Sequence, residues 1–350
     1  MMKSKLIALF LLTSAGLFSQ TIDRKKMDDY LNYIGNNNLG IGSISIFKDG
    51  KEVYSKSFGQ ENLPDKIYNK DTKYHVGSVT KMVTATLIFK LIEEGKLNLE
   101  DKLSDFFPEL PNANIITIRN LLEHSSGLGS YVVKDGEVWV TDKATRKEIF
   151  HVIQKQGTSF KPDEKVAYSN TAYYLLTDIL EKKYNLPYHK IVEREITAPL
   201  ALKNFASTKS NPKNVFKPYH YENNHWSDMK DILPENVIGV GDIVSTSKDL
   251  NIFNENLFHN KILKKSSMEK MIPASGKGWG RGIALWDFDG ITFYGHGGDT
   301  LGSHALLIYS PEQNLSIAYN TNAERINKES FVKNIVSLLY SKEFKWPEIK

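Results

Sequence analysis

Alternating apolar and polar positions predict short β-strands near both ends of the chain. At the amino end, Ile44 and Ile46 alternate with serines, and an Asp-Gly pair forms the preferred two-residue turn of a hairpin spanning residues 40–58. The same design returns near the carboxyl end, where the predicted strands are residues 282–288, 291–294, 305–309 and 315–319. An amphipathic helix is predicted after them, over residues 329–341.

The middle of the chain carries helical patterns instead. Apolar periodicity predicts helices over residues 117–123, 171–183, 188–196 and 246–257. Two short groups of strands are each too small to be stable alone, so the economical arrangement joins them into one sheet. We therefore predict an α+β fold with an antiparallel sheet of about five strands flanked by helices. Its α/β part comprises residues 21–97 and 272–345, and a mostly helical insertion comprises residues 98–271.

The most apolar helical stretch, residues 79–92, begins beside Ser78 and contains Lys81. Residues three apart lie on one face of a helix, so the lysine ammonium is expected beside the serine hydroxyl. A base next to a serine is what nucleophilic acyl transfer requires. Burial among apolar side chains lowers the pKa of a lysine toward the range in which the amine accepts a proton. Ser78 and Lys81 are thus candidate catalytic residues.

The Ser-x-x-Lys spacing alone is weakly specific. It occurs seven times in the sequence, and elsewhere the lysine lies in a strand pattern, a polar stretch or a terminal helix. At Ser78 the alternative interpretation is a surface lysine on an amphipathic helix. The spacing and its context leave both interpretations open.

The first twenty residues combine Lys3 and Lys5 with an apolar run over 6–12 and small residues at 14–16. This pattern predicts a secretory signal peptide over residues 1–20 and a folded domain over 21–345. The protein is therefore expected to be exported, to a periplasm or out of the cell. Because the apolar run is too short to span a bilayer, no stable membrane anchor is expected.

Composition narrows the function classes. The chain has no cysteine, which excludes a thiol nucleophile, a cysteine-based metal site and a lipid-modified cysteine. The formal net charge is only +4, and the lysines are scattered among nearly as many acids, so nucleic acid is not an expected partner. The nine histidines form no His-Glu-x-x-His pattern, and we predict neither a metal site nor a cofactor.

Two further motifs lie where loops meet regular structure. Tyr168 and Asn170 stand at the amino end of a predicted helix, where a tyrosine can shuttle protons and an asparagine amide can bind a lysine and a substrate carbonyl. The alternative is a packed tyrosine beside a helix-capping asparagine. His296 and Gly298 end the predicted 291–294 strand, where backbone amides can face an oxyanion. His296 is otherwise an ordinary polar residue at a strand terminus.

The order Ser-x-x-Lys, Tyr-x-Asn, His-x-Gly resembles the serine β-lactamase and penicillin-binding-protein superfamily, in particular its class C-like branch. Four segments are similar to the sequences typical of that branch: residues 75–81, 121–128, 168–171 and 295–298. The resemblance runs from about residue 40 to residue 322. It implies an antiparallel sheet flanked by helices, with the active site in the groove beside a mostly helical second domain.

The resemblance also implies a role for each motif. Ser78 attacks the substrate carbonyl, while Lys81 and Tyr168 move the proton. Asn170 orients the substrate and the lysine. The backbone amides of Ser78 and Asp299 hold the oxyanion, and water then hydrolyses the acyl-enzyme.

The third motif bears on the substrate. β-Lactamases of this branch usually carry Lys-Thr-Gly where this chain has His296-Gly297-Gly298. A histidine is largely neutral at neutral pH, and Asp299 places an acid beside it, so attraction of a substrate carboxylate is expected to be weaker. Arg281 is a conjectural replacement for the missing cation. Family members with His-x-Gly include D-Ala-D-Ala carboxypeptidases, D-amino-acid peptidases and esterases.

The resemblance therefore favours an exported serine hydrolase acting on an ester or a D-amino-acid amide. Its expected partner is a small-molecule or peptide substrate, with cell-wall peptides and esters among the candidates. β-Lactam hydrolysis is the alternative within the same chemistry. The alternative from another class is a catalytically silent binding or sensor protein on the same fold.

Overall fold

The computed structural model describes residues 22–63, 68–274 and 277–349. The predicted signal peptide at residues 1–20 lies outside the described residues, and the domain limits stay predictions. The strands, in chain order, are β1 (Gly40–Lys48), β2 (Lys51–Phe58), β3 (Tyr74–His75), β4 (Val133–Lys134), β5 (Glu137–Val138), β6 (Phe205–Ser207), β7 (Tyr219–Glu222), β8 (His225–Asp228), β9 (Ile243–Ser245), β10 (Ala284–Phe288), β11 (Ile291–Asp299), β12 (His304–Ser310) and β13 (Leu315–Glu324).

The helices surround these strands and include every helix predicted from the sequence. In chain order they are α1 (Arg24–Asn36), α2 (Thr80–Glu93), α3 (Ile118–Leu122), α4 (Arg146–Gln156), α5 (Asn170–Tyr184), α6 (Tyr188–Val192), α7 (Ser247–Phe258), α8 (Lys265–Met271) and α9 (Lys328–Leu339). A π-helical turn, Glu193–Thr197, continues α6. Within the described residues, no helix combines the length and the apolar character needed to cross a bilayer.

A six-stranded antiparallel sheet forms the centre of the molecule, in the order β10-β11-β12-β13-β1-β2. The two ends of the chain meet where β1 pairs with β13, with Ile46 opposite Ile317. The α+β class and the joining of both ends in one sheet are confirmed. The sheet has one strand more than the approximate count of five, because both hairpins and both later apolar segments contribute strands.

Residues of the central strands alternate between two cores. Leu306 and Ile308 join the cluster formed with α1 and α9, whereas Ala305 and Leu307 join the cluster on the other face. Helices α2 and α7 pack on that second face, against β11 and β13 respectively. The apolar side chains of α2 are therefore enclosed between the sheet and the remaining helices.

One strand differs from its prediction in a way that matters for the site. The sequence predicts a strand over residues 291–294 that ends at the Gly-His-Gly-Gly run, but β11 continues to Asp299. Pairing with β12 persists through Asp299 opposite His304, and these hydrogen bonds hold the glycine-rich stretch extended. The motif thus lies within a strand, not after it.

Residues 98–271, predicted as a mostly helical insertion, contain α3 to α8 together with the short strands β4 to β9. Strand β9 lies between β3 and β6 in a small separate sheet. Tyr74 and Ser245 are paired there. This small sheet ties the segment before Ser78 to the loop that precedes β9, and it brings both toward the amino end of α2.

Candidate active site

Ser78 and Lys81 lie together at the amino end of α2. A short 3-10 turn, Gly77–Val79, leads into the helix, so Ser78 stands one turn before Lys81. Ser78 Oγ and Lys81 Nζ are 2.9 Å apart. The positive end of the helix dipole also lies beneath the serine. The alternative of a surface lysine does not describe Lys81, because its side chain is fully buried.

Burial determines the chemistry of the Lys81 amine. Besides Ser78 Oγ, Nζ binds the backbone oxygen of Val240 over 3.0 Å, so both hydrogen-bond partners are neutral. Loss of hydration lowers the pKa of Lys81 well below its usual 10.5. An uncharged amine 2.9 Å from a hydroxyl is placed to accept its proton.

The carbonyl that receives Lys81 belongs to a loop held against α2. Thr84 Oγ1 donates to Gly239 O over 2.6 Å, one residue before Val240. Gly239 has a φ of 69°, and a Cβ at this position would overlap the Thr177 side chain. Only glycine lets the loop approach α5 this closely, and the approach fixes the Val240 oxygen opposite Lys81.

Tyr168 leans over the serine and lysine. Its ring centroid lies 5.0 Å from Lys81 Nζ, and its hydroxyl faces Ser78. Although 39 % of the residue is exposed, burial at the hydroxyl end raises the pKa of the phenol, and the neighbouring Ser78 side chain opposes part of that rise. Tyr168 is therefore a neutral phenol in the resting site, suited to relaying a proton.

Asn170 is the first residue of α5, but its contact differs from the expected one. Its Nδ2 donates to Ser130 Oγ over 2.9 Å, whereas the Lys81 amine binds the hydroxyl of Ser78 and a backbone carbonyl. Ser169, not Asn170, caps α5 through its hydroxyl. Because Ser169 takes the capping role, the Asn170 amide is left to reach Ser130 on the neighbouring loop.

The edge of β11 faces the nucleophile. Strand β10 pairs with β11 only as far as Gly295, so the later edge of β11 lacks that neighbour. A Cβ at Gly298 would lie 3.0 Å from Ser78 N, and a Cβ at Gly77 would lie 2.7 Å from Asp299 N. The two backbones can meet this closely because both positions are glycine. The amides of Ser78 and Asp299 thus lie on facing segments, as an oxyanion site requires.

His296 is a buried, neutral histidine in the same cleft. Its ring centroid lies 6.1 Å from that of Tyr168 and 5.3 Å from that of Trp279. Burial lowers the pKa of its imidazole to about 3. Among the described residues, no group of three or more histidine, cysteine or acidic side chains is placed to hold a metal ion. The third motif thus places a neutral imidazole in the cleft.

The Asp299 carboxylate faces away from the nucleophile. Alternate residues of β11 point to opposite faces of the sheet, and Asp299 forms an ion pair with Lys328 and a 2.8 Å bond with His304. Arg281, conjectured as a replacement cation, is ion-paired with Glu123. Lys328 and Arg281 are thus both paired with carboxylates of the protein.

Several groups that shape the cleft were not assigned from the sequence. They are the imidazole of His124, the indole of Trp279, the hydroxyl of Ser130 and the carbonyl of Val240. The ring centroids of His124 and Trp279 lie 4.4 Å and 5.4 Å from that of Tyr168. His124 lies inside the 121–128 segment that carries the resemblance, and that position could have indicated a place for His124 in the site. Val240 contributes a main-chain oxygen, which no side-chain pattern can indicate.

Comparison with known proteins identifies the family. The family model described as Beta-lactamase matches residues 36–341, which is most of the chain. The chain belongs to the Beta-lactamase family. All three motifs lie within the matched residues, and the resemblance inferred from them is confirmed.

One relative of this family member is a teichoic acid D-alanine hydrolase from Staphylococcus aureus (strain MRSA252). The two are 31% identical over 230 residues, covering 65% of this chain and 55% of the relative. The chain spans about 55% to 66% of the length of the first curated relatives that it matches.

Solved structures of similar proteins agree with the fold of this family member. A D-stereospecific amidohydrolase from Streptomyces sp. is 25% identical with a TM-score of 0.77, covering 92% of this chain and 100% of the other. The octameric penicillin-binding protein homologue from Pyrococcus abyssi is 27% identical with a TM-score of 0.78, covering 92% and 78%. The arrangement of sheet and helices is therefore that of the family.

The close approach of β11 to Ser78 predicts the effect of one methyl group. In Gly298→Ala the new Cβ would lie 1.8 Å from Val76 O, so β11 must move away from the nucleophile. We expect the rate of labelling by a serine-directed fluorophosphonate to fall about 10²- to 10³-fold, as when an oxyanion donor is lost. Gly278→Ala is the matched control, because a Cβ there meets nothing within 4 Å. A folded Gly298→Ala variant that labels at the wild-type rate would contradict this geometry.

Burial of Lys81 predicts the pH dependence of labelling. The amine must be uncharged to take the Ser78 proton, so labelling is expected to be lost as pH falls through the Lys81 pKa and to be complete above it. Because that pKa is depressed, the inflection is expected well below 10.5. The measurement is the labelling rate across pH, with Lys81→Met as a nearly isosteric variant that lacks the base. An inflection near 10.5 would mean that the lysine is hydrated.

Proposed function

We propose that this protein is a serine hydrolase that acts through an acyl-Ser78 intermediate on D-amino-acid esters or amides. The observation that carries the proposal is the 2.9 Å contact between Ser78 Oγ and the fully buried Nζ of Lys81. A buried neutral amine beside a hydroxyl is an activated nucleophile in the sense that acyl transfer requires. The Tyr168 hydroxyl, which faces Ser78, offers a second path for the proton.

In the acylation step, Ser78 Oγ forms a bond to the substrate carbonyl carbon while its proton passes to Lys81 Nζ. The negative charge that develops on the carbonyl oxygen faces the amides of Ser78 and Asp299. As the tetrahedral intermediate collapses, Tyr168 donates a proton to the departing alcohol or amine, and the ester or amide bond breaks. Lys81 then reprotonates Tyr168, which leaves the acyl-serine and a neutral amine.

Water completes the cycle. The same uncharged amine of Lys81 accepts a proton from water as its oxygen attacks the acyl carbonyl. The same two amides receive the second oxyanion, and Ser78 Oγ leaves and takes back a proton. One base and one anion site thus serve both halves of the reaction, by microscopic reversibility.

The third motif supports an ester or amide substrate over a β-lactam. The His296 imidazole is neutral because burial lowers its pKa to about 3, and the Asp299 carboxylate points to the other face of the sheet. A neutral imidazole attracts a substrate carboxylate less than a lysine does. The relative from Staphylococcus aureus is named as a teichoic acid D-alanine hydrolase, and the Streptomyces structure as a D-stereospecific amidohydrolase. Both names support D-amino-acyl substrates.

The setting of the reaction is also a proposal. The basic and apolar pattern of residues 1–20 supports export to a periplasm or out of the cell. Cell-wall peptides and D-alanyl esters of envelope polymers would be the accessible substrates there. Export is tested by fractionating cells that express the full chain and by sequencing the amino terminus of the mature protein.

A covalent probe tests the nucleophile. Intact-mass spectrometry after exposure to a fluorophosphonate is expected to show one adduct on the wild type and none on Ser78→Ala, because Ser78 lies beside the buried lysine base. Ser330→Ala is the matched control, since Ser330 and Lys333 repeat the spacing on α9. That variant should keep the adduct. Folded wild-type protein that forms no adduct would contradict the proposal and favour a binding protein.

A substrate panel tests the specificity. We expect kcat/KM for a D-alanyl ester to exceed that for its L-alanyl counterpart and for a chromogenic cephalosporin. Loss of a charged carboxylate contact is worth about 1.5 to 3 kcal/mol, or roughly ten- to a hundredfold in kcat/KM. His296→Lys introduces the lysine that β-lactamases of this branch usually carry, and it is expected to raise cephalosporin turnover selectively. A wild type that prefers the cephalosporin would assign it to β-lactam hydrolysis.

A further inference from the structure

His124 holds the backbone on both sides of Tyr168. Its carbonyl accepts a hydrogen bond from Ala167 N over 2.9 Å, and its Nδ1 accepts one from Ser169 N over 3.1 Å. The backbone N–H groups of the residues before and after Tyr168 therefore both donate to His124. The imidazole also packs against the tyrosine, with ring centroids 4.4 Å apart. Backbone and ring together leave Tyr168 little freedom to move.

The Ser169 bond fixes the state of the imidazole. Because Nδ1 accepts a hydrogen bond, the proton of the neutral ring is assigned to Nε2. The side chain is buried, and burial holds its pKa well below the usual 6.5. Trp279 stands perpendicular to the ring at 5.6 Å, and Tyr173 closes another side at 5.1 Å. The ring is thus a neutral acceptor held in one orientation.

We propose that His124 is a positioning residue, which holds the Tyr168 hydroxyl against Ser78 during acyl transfer. The inference rests on the proposed function, because it concerns the proton path of that reaction. His124 does not act as the base, since its Nδ1 is occupied by Ser169 and the amine beside the nucleophile is Lys81. Its contribution is to keep a side chain that is 39 % exposed from leaving the nucleophile.

The backbone of His124 decides which replacement can imitate it. Its φ of 58° lies in the left-handed region, where asparagine is much better tolerated than alanine. Asparagine also carries an acceptor, Oδ1, at the same distance from the backbone as histidine Nδ1. His124→Asn therefore keeps the bond to Ser169 and loses the ring, whereas His124→Ala loses both.

The experiment compares His124→Ala with His124→Asn by the rate of fluorophosphonate labelling and by kcat and KM on a D-alanyl ester. We expect His124→Ala to label about ten- to a hundredfold more slowly, because a small displacement of a proton-transfer group is costly. The loss should appear in kcat with little change in KM, since Tyr168 acts in the transition state. His124→Asn should recover most of the labelling rate.

Two controls separate this inference from a general loss of stability and from a failure of the proposed function. Ile153→Ala removes a buried side chain from α4, in the same core as Tyr173, and should lower the melting temperature without slowing the folded enzyme. A folded His124→Ala variant that labels at the wild-type rate would overturn the inference. So would a folded His124→Asn variant as slow as His124→Ala. A wild type that forms no Ser78 adduct would overturn the proposed function instead.

Discussion

The arrangement of this molecule depends on one buried amine. The Lys81 side chain is fully enclosed, and its partners, Ser78 Oγ and Val240 O, are both neutral. Such surroundings favour the uncharged amine, and an uncharged amine beside a hydroxyl is a base. The apolar length of α2 is therefore functional as well as structural, because it supplies the burial that depresses the pKa. The same packing would penalise any state in which the lysine stays charged.

Close contact between backbone segments brings the remaining groups to that amine. Gly77, with a φ of 51°, and Gly298 let the turn before α2 touch the edge of β11, and Gly239 lets the Val240 loop touch α5. Each glycine costs conformational freedom on folding. Continued pairing of β11 with β12 through Asp299, and the Thr84 bond to Gly239, stabilise these segments locally. The geometry of the cleft is thus set mainly by the main chain.

The difference between side-chain burial and main-chain contacts explains what could be predicted from the sequence. The helix that carries Lys81 and the hairpin at residues 40–58 follow from side-chain periodicity, which reports burial directly. The Val240 carbonyl does not, because it is a main-chain group whose partner, Lys81, is distant in the sequence. The extension of β11 to Asp299 does not either, because a glycine-rich run has no side-chain alternation and is held extended by its pairing with β12. The Asn170 amide binds Ser130 and not Lys81 for a related reason, while its role toward a substrate stays a prediction. The Tyr-x-Asn motif indicates that the Asn170 amide lies near the cleft. Its hydrogen-bond partner, Ser130, is set by the conformation of the neighbouring loop.

The charges of the cleft favour the transition state over the resting state. Burial keeps Lys81, Tyr168 and His296 largely uncharged at neutral pH, while the Asp299 carboxylate is neutralised by Lys328 on the far face of the sheet. Charge therefore appears between these groups only when Ser78 attacks and an oxyanion forms. The amides of Ser78 and Asp299 and the amino end of α2 stabilise that negative charge once it forms. In the resting site they have no comparable charge to stabilise. Interactions made mainly in the transition state are the ones that accelerate a reaction.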